Sequence, residues 1–133
     1  MSLTVRILSQ QDVARAIDMV EAIDAMRDAL AQLSAGEVEA PVRTTIRVER
    51  YGGVSLFMPA YLKGTDALGA KVVSVFPRNP EQGLPTIAAI IVLCDAATGR
   101  PIAIMEGGYI TALRTGAISG LATDLLARPD ARI

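Results

Sequence analysis

The sequence predicts an α+β domain, a mostly antiparallel sheet flanked by helices. Three observations predict it. Strand-like segments follow one another across short turns from Arg43 to Met105. Helical patterns with capping residues stand before and after them. The chain is 133 residues long, one domain's worth, enough for a modest core.

Val5 to Leu8 is apolar enough for a short strand. Ser9 with Asp12 has the spacing of an N-cap and an acidic N3 residue, opening a short helix, and Asp18 with Glu21 repeats it. Ile23, Met26, Leu30 and Leu33 then form one helical stripe, and Gly36 supplies a stop. Glu37 to Pro41 is expected to be a linker. Arg43 to Glu49 alternates, with Thr44, Ile46 and Val48 on one face and Arg43, Thr45 and Arg47 on the other. Tyr51-Gly52-Gly53 is a turn into a returning strand, Val54 to Met58. Leu62 to Asp66 is a polar turn, and Leu68 to Phe76 the next strand. Phe76 to Pro85 holds Pro77, Pro80, Gly83 and Pro85 and is expected to be a loop. Thr86 to Asp95 is almost wholly apolar, a central strand. Asp95 to Arg100 is a hairpin loop into Ile102–Met105, and a closing helix runs from about Tyr109 to Leu126. On that helix Ala112, Gly116 and Gly120 share one face. Glycine costs roughly 1 kcal/mol relative to alanine within a helix. The spacing therefore implies a close approach, of another backbone or of the domain's own sheet.

Hydrophobic residues make up 51% of the chain, aromatics 4%, and the mean hydropathy is +0.38. No apolar run reaches the length of a membrane span, so the excess apolar surface is expected to meet a partner subunit or a further domain. The net charge is −1 with no basic cluster, which argues against nucleic acid as a partner. There is no His and Cys94 is the only cysteine, so zinc sites, Cys–His nucleophiles and disulfide scaffolds are not expected. No signal-peptide pattern precedes the first helix, and a cytoplasmic protein is expected.

Two cations stand out. Arg114 is expected one turn into the closing helix, flanked by Thr111 and Thr115, whose hydroxyls can anchor the first turn. A helix N-terminus favours anions, and a guanidinium there holds a carboxylate or phosphate bidentately. The alternative is a surface arginine beside a buried helix. Of the two lysines, Lys63 lies in the polar turn, whereas Lys71 shares a strand face with Val73 and Val75. A buried ammonium is costly unless paired. Lys71 is either a site residue or an edge-strand lysine that snorkels to water.

A set of short motifs resembles one family. They are Met58-Pro59, Gly69-Ala-Lys71, Phe76-Pro77, Gly83-Leu-Pro-Thr86, Asp95-Ala-Ala-Thr-Gly99, Pro101, Ile110-Thr-Ala-Leu-Arg-Thr115 and Leu126-Ala127. In this order, over roughly residues 9 to 132, they resemble the first domain of the ornithine cyclodeaminase/mu-crystallin family of nicotinamide-dependent proteins. The resemblance implies a substrate-binding and dimerisation domain over residues 1–133, with a Rossmann domain expected after Ile133; no Gly-x-Gly-x-x-Gly occurs in the chain. It implies substrate-binding roles for Arg43 and Lys71, and contacts from Thr86 and Arg114 to a bound NAD or NADP. The catalytic aspartate is expected in the absent domain and no metal is expected. Together Arg43, Lys71 and Arg114 would neutralise a carboxylate and a cofactor phosphate and polarise a developing C=N or C=O bond.

One departure bears on the substrate. Ornithine cyclodeaminases carry an acidic residue two before the Met of Met-Pro, suited to a second amino group. Here that position is Leu56. The resemblance therefore implies an oxidoreductase of small amino acids or cyclic imines, closer to the family's alanine dehydrogenases and imine reductases. The other implied possibilities are a mu-crystallin-like protein that binds NADPH and a small ligand without turnover, and a purely structural dimerising module. A homodimer is expected in each case.

Overall fold

The computed structural model describes residues 3–131 of the chain. The strands are β1 (Arg6–Leu8), β2 (Val38–Glu39), β3 (Thr44–Val48), β4 (Gly53–Leu62), β5 (Ala67–Val75), β6 (Ile87–Asp95) and β7 (Pro101–Glu106). The helices are α1 (Gln10–Ala16), α2 (Met19–Ser34) and α3 (Gly107–Leu126). The domain expected beyond Ile133 lies outside these residues.

Both expected capping boxes form. The Ser9 hydroxyl accepts from the Asp12 N–H while the Asp12 carboxylate accepts from the Ser9 N–H at 2.9 Å. The Ser9 hydroxyl, which also donates to that carboxylate at 2.6 Å, the Ser9 N–H and Arg15 together hold the Asp12 carboxyl pKa at about 2. Asp18 and Glu21 reciprocate in the same way at 2.9 Å each, starting α2.

The sheet runs β1-β7-β6-β5-β4-β2, with β3 also paired to β4. It is mixed, which corrects the expectation of a mostly antiparallel sheet. β1 lies parallel to β7, which the chain reaches only after α1, α2 and five further strands, a long connection of the kind a parallel pair requires. The remaining pairings are antiparallel, and all but β2–β4 join consecutive strands. The segment expected as a linker contributes β2. The returning strand extends through Pro59 to Leu62, and Pro59 falls where neither β2 nor β3 pairs with β4, so its missing N–H interrupts no pairing on that edge. The Phe76–Pro85 loop contains a short 3-10 turn, Asn79–Gln82.

One sheet face carries Leu8, Met105, Ile91 and Val73, and the three helices gather over it. The buried apolar residues are small or medium: Val13, Ala22, Val73, Ala103, Ala117 and Leu121. The glycine face of α3 meets neither another backbone nor the sheet. It receives α2 side chains: a Cβ at Gly120 would lie 2.9 Å from Ile23 Cδ1, and one at Gly116 3.4 Å from Met19 Cε. Arg27 pairs with Asp124 at 2.9 Å one turn further on, so α2 and α3 run side by side in the same direction. The opposite sheet face leaves Ile7, Ile46, Phe57 and Ile90 exposed, Ile7 by 79%. No helix among the described residues is long and apolar enough to cross a membrane.

Candidate functional site: a cation pair between sheet and helix

Lys71 lies at the middle of β5, paired with Met58 on β4 and Ile91 on β6. β5 is an internal strand, so the edge-strand reading of this lysine is corrected. Its side chain is on the helix-facing side of the sheet, in the row that continues through Ile91 and Met105 to Leu8. Burial lowers its pKa from the ordinary value, and the neighbouring Arg114 charge lowers it further. Arg114, on α3, lines the same cleft as Ile91, the cross-strand neighbour of Lys71, which sets the two cations on one side of the sheet.

Arg114 is further into its helix than the sequence suggests. α3 starts at Gly107, so Arg114 stands about two turns in rather than one. Gly107 and Gly108, before the expected start at Tyr109, are already helical. Glu106 caps the helix: its carboxylate accepts from Gly108 N–H at 2.6 Å and from Tyr109 N–H at 2.8 Å. This closes the helix N-terminus to an external anion. Thr115 does not anchor the first turn either, since its hydroxyl donates to the Thr111 carbonyl at 2.7 Å. The Thr111 Oγ1 atom is buried with no hydrogen-bond partner.

Arg43 precedes β3 and is not part of it. The first β3 pairing is Thr44 with Phe57, and the next β4 residue, Met58, is the cross-strand neighbour of Lys71. Arg43 thus enters the sheet two strands from Lys71, about 10 Å across. Thr86 precedes β6, and its carbonyl accepts from Phe76 N–H at 2.8 Å. It stands some five residues along the strand from Ile91, about 16 Å. The structure therefore brings Lys71 and Arg114 together, sets Arg43 near the same row, and leaves Thr86 at the far end of β6.

None of the ion pairs among the described residues involves Arg43, Lys71 or Arg114. Two adjacent cations without a carboxylate repel one another, and an anion between them relieves that repulsion and the cost of burial. No acidic, Cys or His cluster able to hold a metal occurs among the described residues.

The sequence did not disclose the Glu106 cap, since glutamate is outside the usual N-cap set. Nor did it disclose the apolar cleft beside Arg114, which depends on how three helices and the sheet come together.

Fold and site together define a one-sided α+β domain whose helix-facing side carries Lys71 and Arg114, neither in an ion pair among the described residues. The chain belongs to the ornithine cyclodeaminase/mu-crystallin family, whose profile matches residues 4–133. It is 40% identical over 126 residues to a Delta(1)-pyrroline-2-carboxylate reductase from Bacillus cereus, covering 95% of this chain and 39% of that protein. Among solved structures it resembles the Thermococcus litoralis Delta(1)-pyrroline-2-carboxylate reductase in complex with NADH and L-proline, with a TM-score of 0.89 and 46% identity over 96% of this chain and 40% of the other. It also resembles an archaeal alanine dehydrogenase, solved as a dimer with bound NAD, with a TM-score of 0.87 and 38% identity over 96% of this chain and 38% of the other. The chain spans about two-fifths of the length of these relatives.

Proposed function

We propose that this chain is the substrate-binding and dimerisation domain of an NAD(P)-dependent oxidoreductase that acts on a small amino acid or cyclic imine in the cytoplasm. The observation that carries the proposal is the placement of Lys71 and Arg114 on one side of the sheet, either side of Ile91, with neither in an ion pair among the described residues. Lys71 binds the substrate carboxylate, with Arg43 at the outer side of the same row. Arg114 lies where an anion bridges substrate and dinucleotide, and Thr86 contacts the dinucleotide from the end of β6. A nicotinamide, when bound, supplies or accepts the hydride. The pyrophosphate cradle and the catalytic acid belong to a second, Rossmann domain, so residues 1–133 alone bind dinucleotide weakly and do not turn over substrate. Leu56, on the helix-facing side of β4, offers no charge to a distal ammonium, which favours an alanine- or imine-type substrate over ornithine.

The test is Lys71→Met in the chain joined to its dinucleotide-binding domain. Met suits an apolar strand face and keeps the fold. Turnover is expected to fall by the equivalent of about 2–4 kcal/mol in transition-state stabilisation. Lys63→Met, in the exposed turn after β4, is expected to change little. Equal parental rates for both variants would remove Lys71 from the site.

A further inference from the structure

We propose that Thr111 is a positioning residue for Lys71: its buried hydroxyl oxygen accepts one N–H of the Lys71 ammonium and aims the other two at a bound acid group. The inference rests on the reading of Lys71 as a carboxylate ligand and deepens it, by assigning the group that orients this lysine.

α3 carries four hydroxyl residues at intervals of four, Thr111, Thr115, Ser119 and Thr123. The last three are satisfied within the helix. Each donates to the carbonyl one turn back: Thr115 to Thr111 at 2.7 Å, Ser119 to Thr115 at 3.2 Å and Thr123 to Ser119 at 2.9 Å. Thr111 departs from the pattern. Its hydroxyl does not donate to the Gly107 carbonyl, and its Oγ1 atom is buried without a partner. A hydroxyl taken out of water and left unpaired is costly, and the helix offers a ready remedy that this residue does not take.

The position of Thr111 points to the sheet for its partner. A Cβ at Gly107 would lie 3.0 Å from the Ala89 carbonyl carbon and Cβ, so the first turn of α3 rests on β6. Ala89 pairs with Val73, two residues from Lys71 on the same face of β5. Thr111 follows Gly107 by one turn and precedes Arg114 by one. At about 100° per residue the three stand within roughly 60° of one another around the helix axis. Leu113, which lines the apolar cleft, is on the opposite side of the helix, and Thr111 does not line that cleft. In the facing part of the sheet Met58, Val73 and Ile91 are apolar, and Lys71 is the polar side chain among them.

The two groups are chemically matched. An ammonium has three donors and no acceptor, and a hydroxyl oxygen accepts. The flexible four-carbon stem of Lys71 rotates to make the bond and leaves the strand pairing unchanged. Lys71 is in no ion pair among the described residues. Arg114 of α3 is the charged group that acts on it, its β4 and β6 neighbours Met58 and Ile91 are uncharged, and Arg43 stands beyond Met58. A neutral acceptor steadies the ammonium without neutralising it, so its charge remains available to an acid.

The test uses the two lysines of the chain, Lys63 and Lys71. Lysine labelled at Cε gives two NMR signals in the 133-residue protein, and Lys63 is the internal control. Both are titrated with pH in the parental protein and in Thr111→Val, Thr111→Ala and Thr111→Ser. Val and Ala remove the acceptor and are expected to lower the Lys71 pKa by about one pH unit, the equivalent of one hydrogen bond to a charged group. Ser retains the hydroxyl and is expected to restore the parental value, with Lys63 unmoved throughout. Affinity for 2-oxopropionate, read from the Lys71 signal, is expected to fall about tenfold in Val and Ala and to recover in Ser. If Lys71 titrates alike in all four proteins, or Ser lowers its pKa as far as Val does, the inference is overturned. Equal affinity for the acid in all four also overturns it and leaves the carboxylate reading of Lys71 intact. If the hydroxyl governs the Lys71 pKa but 2-oxopropionate moves the Lys71 signal in none of them, the Thr111–Lys71 bond stands and the carboxylate reading falls.

Discussion

Lys71 comes from an internal strand and Arg114 from about two turns into a later helix, yet the guanidinium charge adds to burial in lowering the Lys71 pKa. The sign of the consequence for stability follows. The folded-state pKa is below the unfolded one, so between the two values the unfolded chain binds more protons. The unfavourable contribution of charged Lys71 is fully present below the folded pKa and is relieved as pH rises through it. Urea denaturation from pH 7 to 10.5 is expected to show a rise in stability on this account, absent in Lys71→Met and reduced in Arg114→Met. An identical pH dependence in all three proteins would contradict it.

Gly69 makes the Lys71 position possible. A Cβ at Gly69 would lie 2.6 Å from the Val92 carbonyl oxygen on β6. The obstacle is backbone, so the strands themselves must part. Gly69→Ala is expected to lower stability by roughly 1–3 kcal/mol, through overpacking. An unchanged denaturation midpoint would show that β5 and β6 yield there at no cost.

Glu106 sets where α3 begins, and therefore where Arg114 points. Replacing it with Ala removes two backbone N–H bonds at the helix start. A loss of about 0.5–2 kcal/mol is expected, the range for an N-cap. Glu106→Gln retains an acceptor oxygen and is expected to lose less. Thermal melts that rank Gln below Ala would argue against a capping role.

The bare sheet face is proposed as the surface where two copies meet. Ile7, Ile46, Phe57 and Ile90 are apolar, exposed and on the same side. Light scattering at micromolar concentration is expected to give twice the chain mass. Ile90→Glu is expected to shift the mass toward the monomer without loss of secondary structure. A parental protein that remains at 14.0 kDa would refute the pairing.

Local chemistry was legible in the sequence. Ser9, Asp12, Asp18 and Glu21 announce two helix starts, because a capping box is closed by residues three apart and needs no distant partner. The alternation around Lys71 assigns it to a face with Val73 and Val75, because the side-chain period of a strand is two. The short motifs from Met58 to Ala127 disclosed the family, and with it Lys71 and Arg114 as residues to examine.

Other features depended on pairings between distant segments, which leave no local pattern. The parallel β1–β7 pair joins residues almost a hundred positions apart. β2 is two residues long and exists only because Val38 and Glu39 find Leu62 and Tyr61. Whether Lys71 sat on an edge or inside the sheet depended on β6 lying beside β5. The glycine face of α3 signalled a close approach, but only packing decided that Met19 and Ile23 of α2 fill it. The cleft needed all of these at once: a strand row supplied by β6, β7 and β1 and a roof supplied by three helices. The sequence by itself determined the elements, their caps and the cations they carry. The tertiary structure decided which cations meet and what apolar space lies beside them, because both depend on strand register and helix packing.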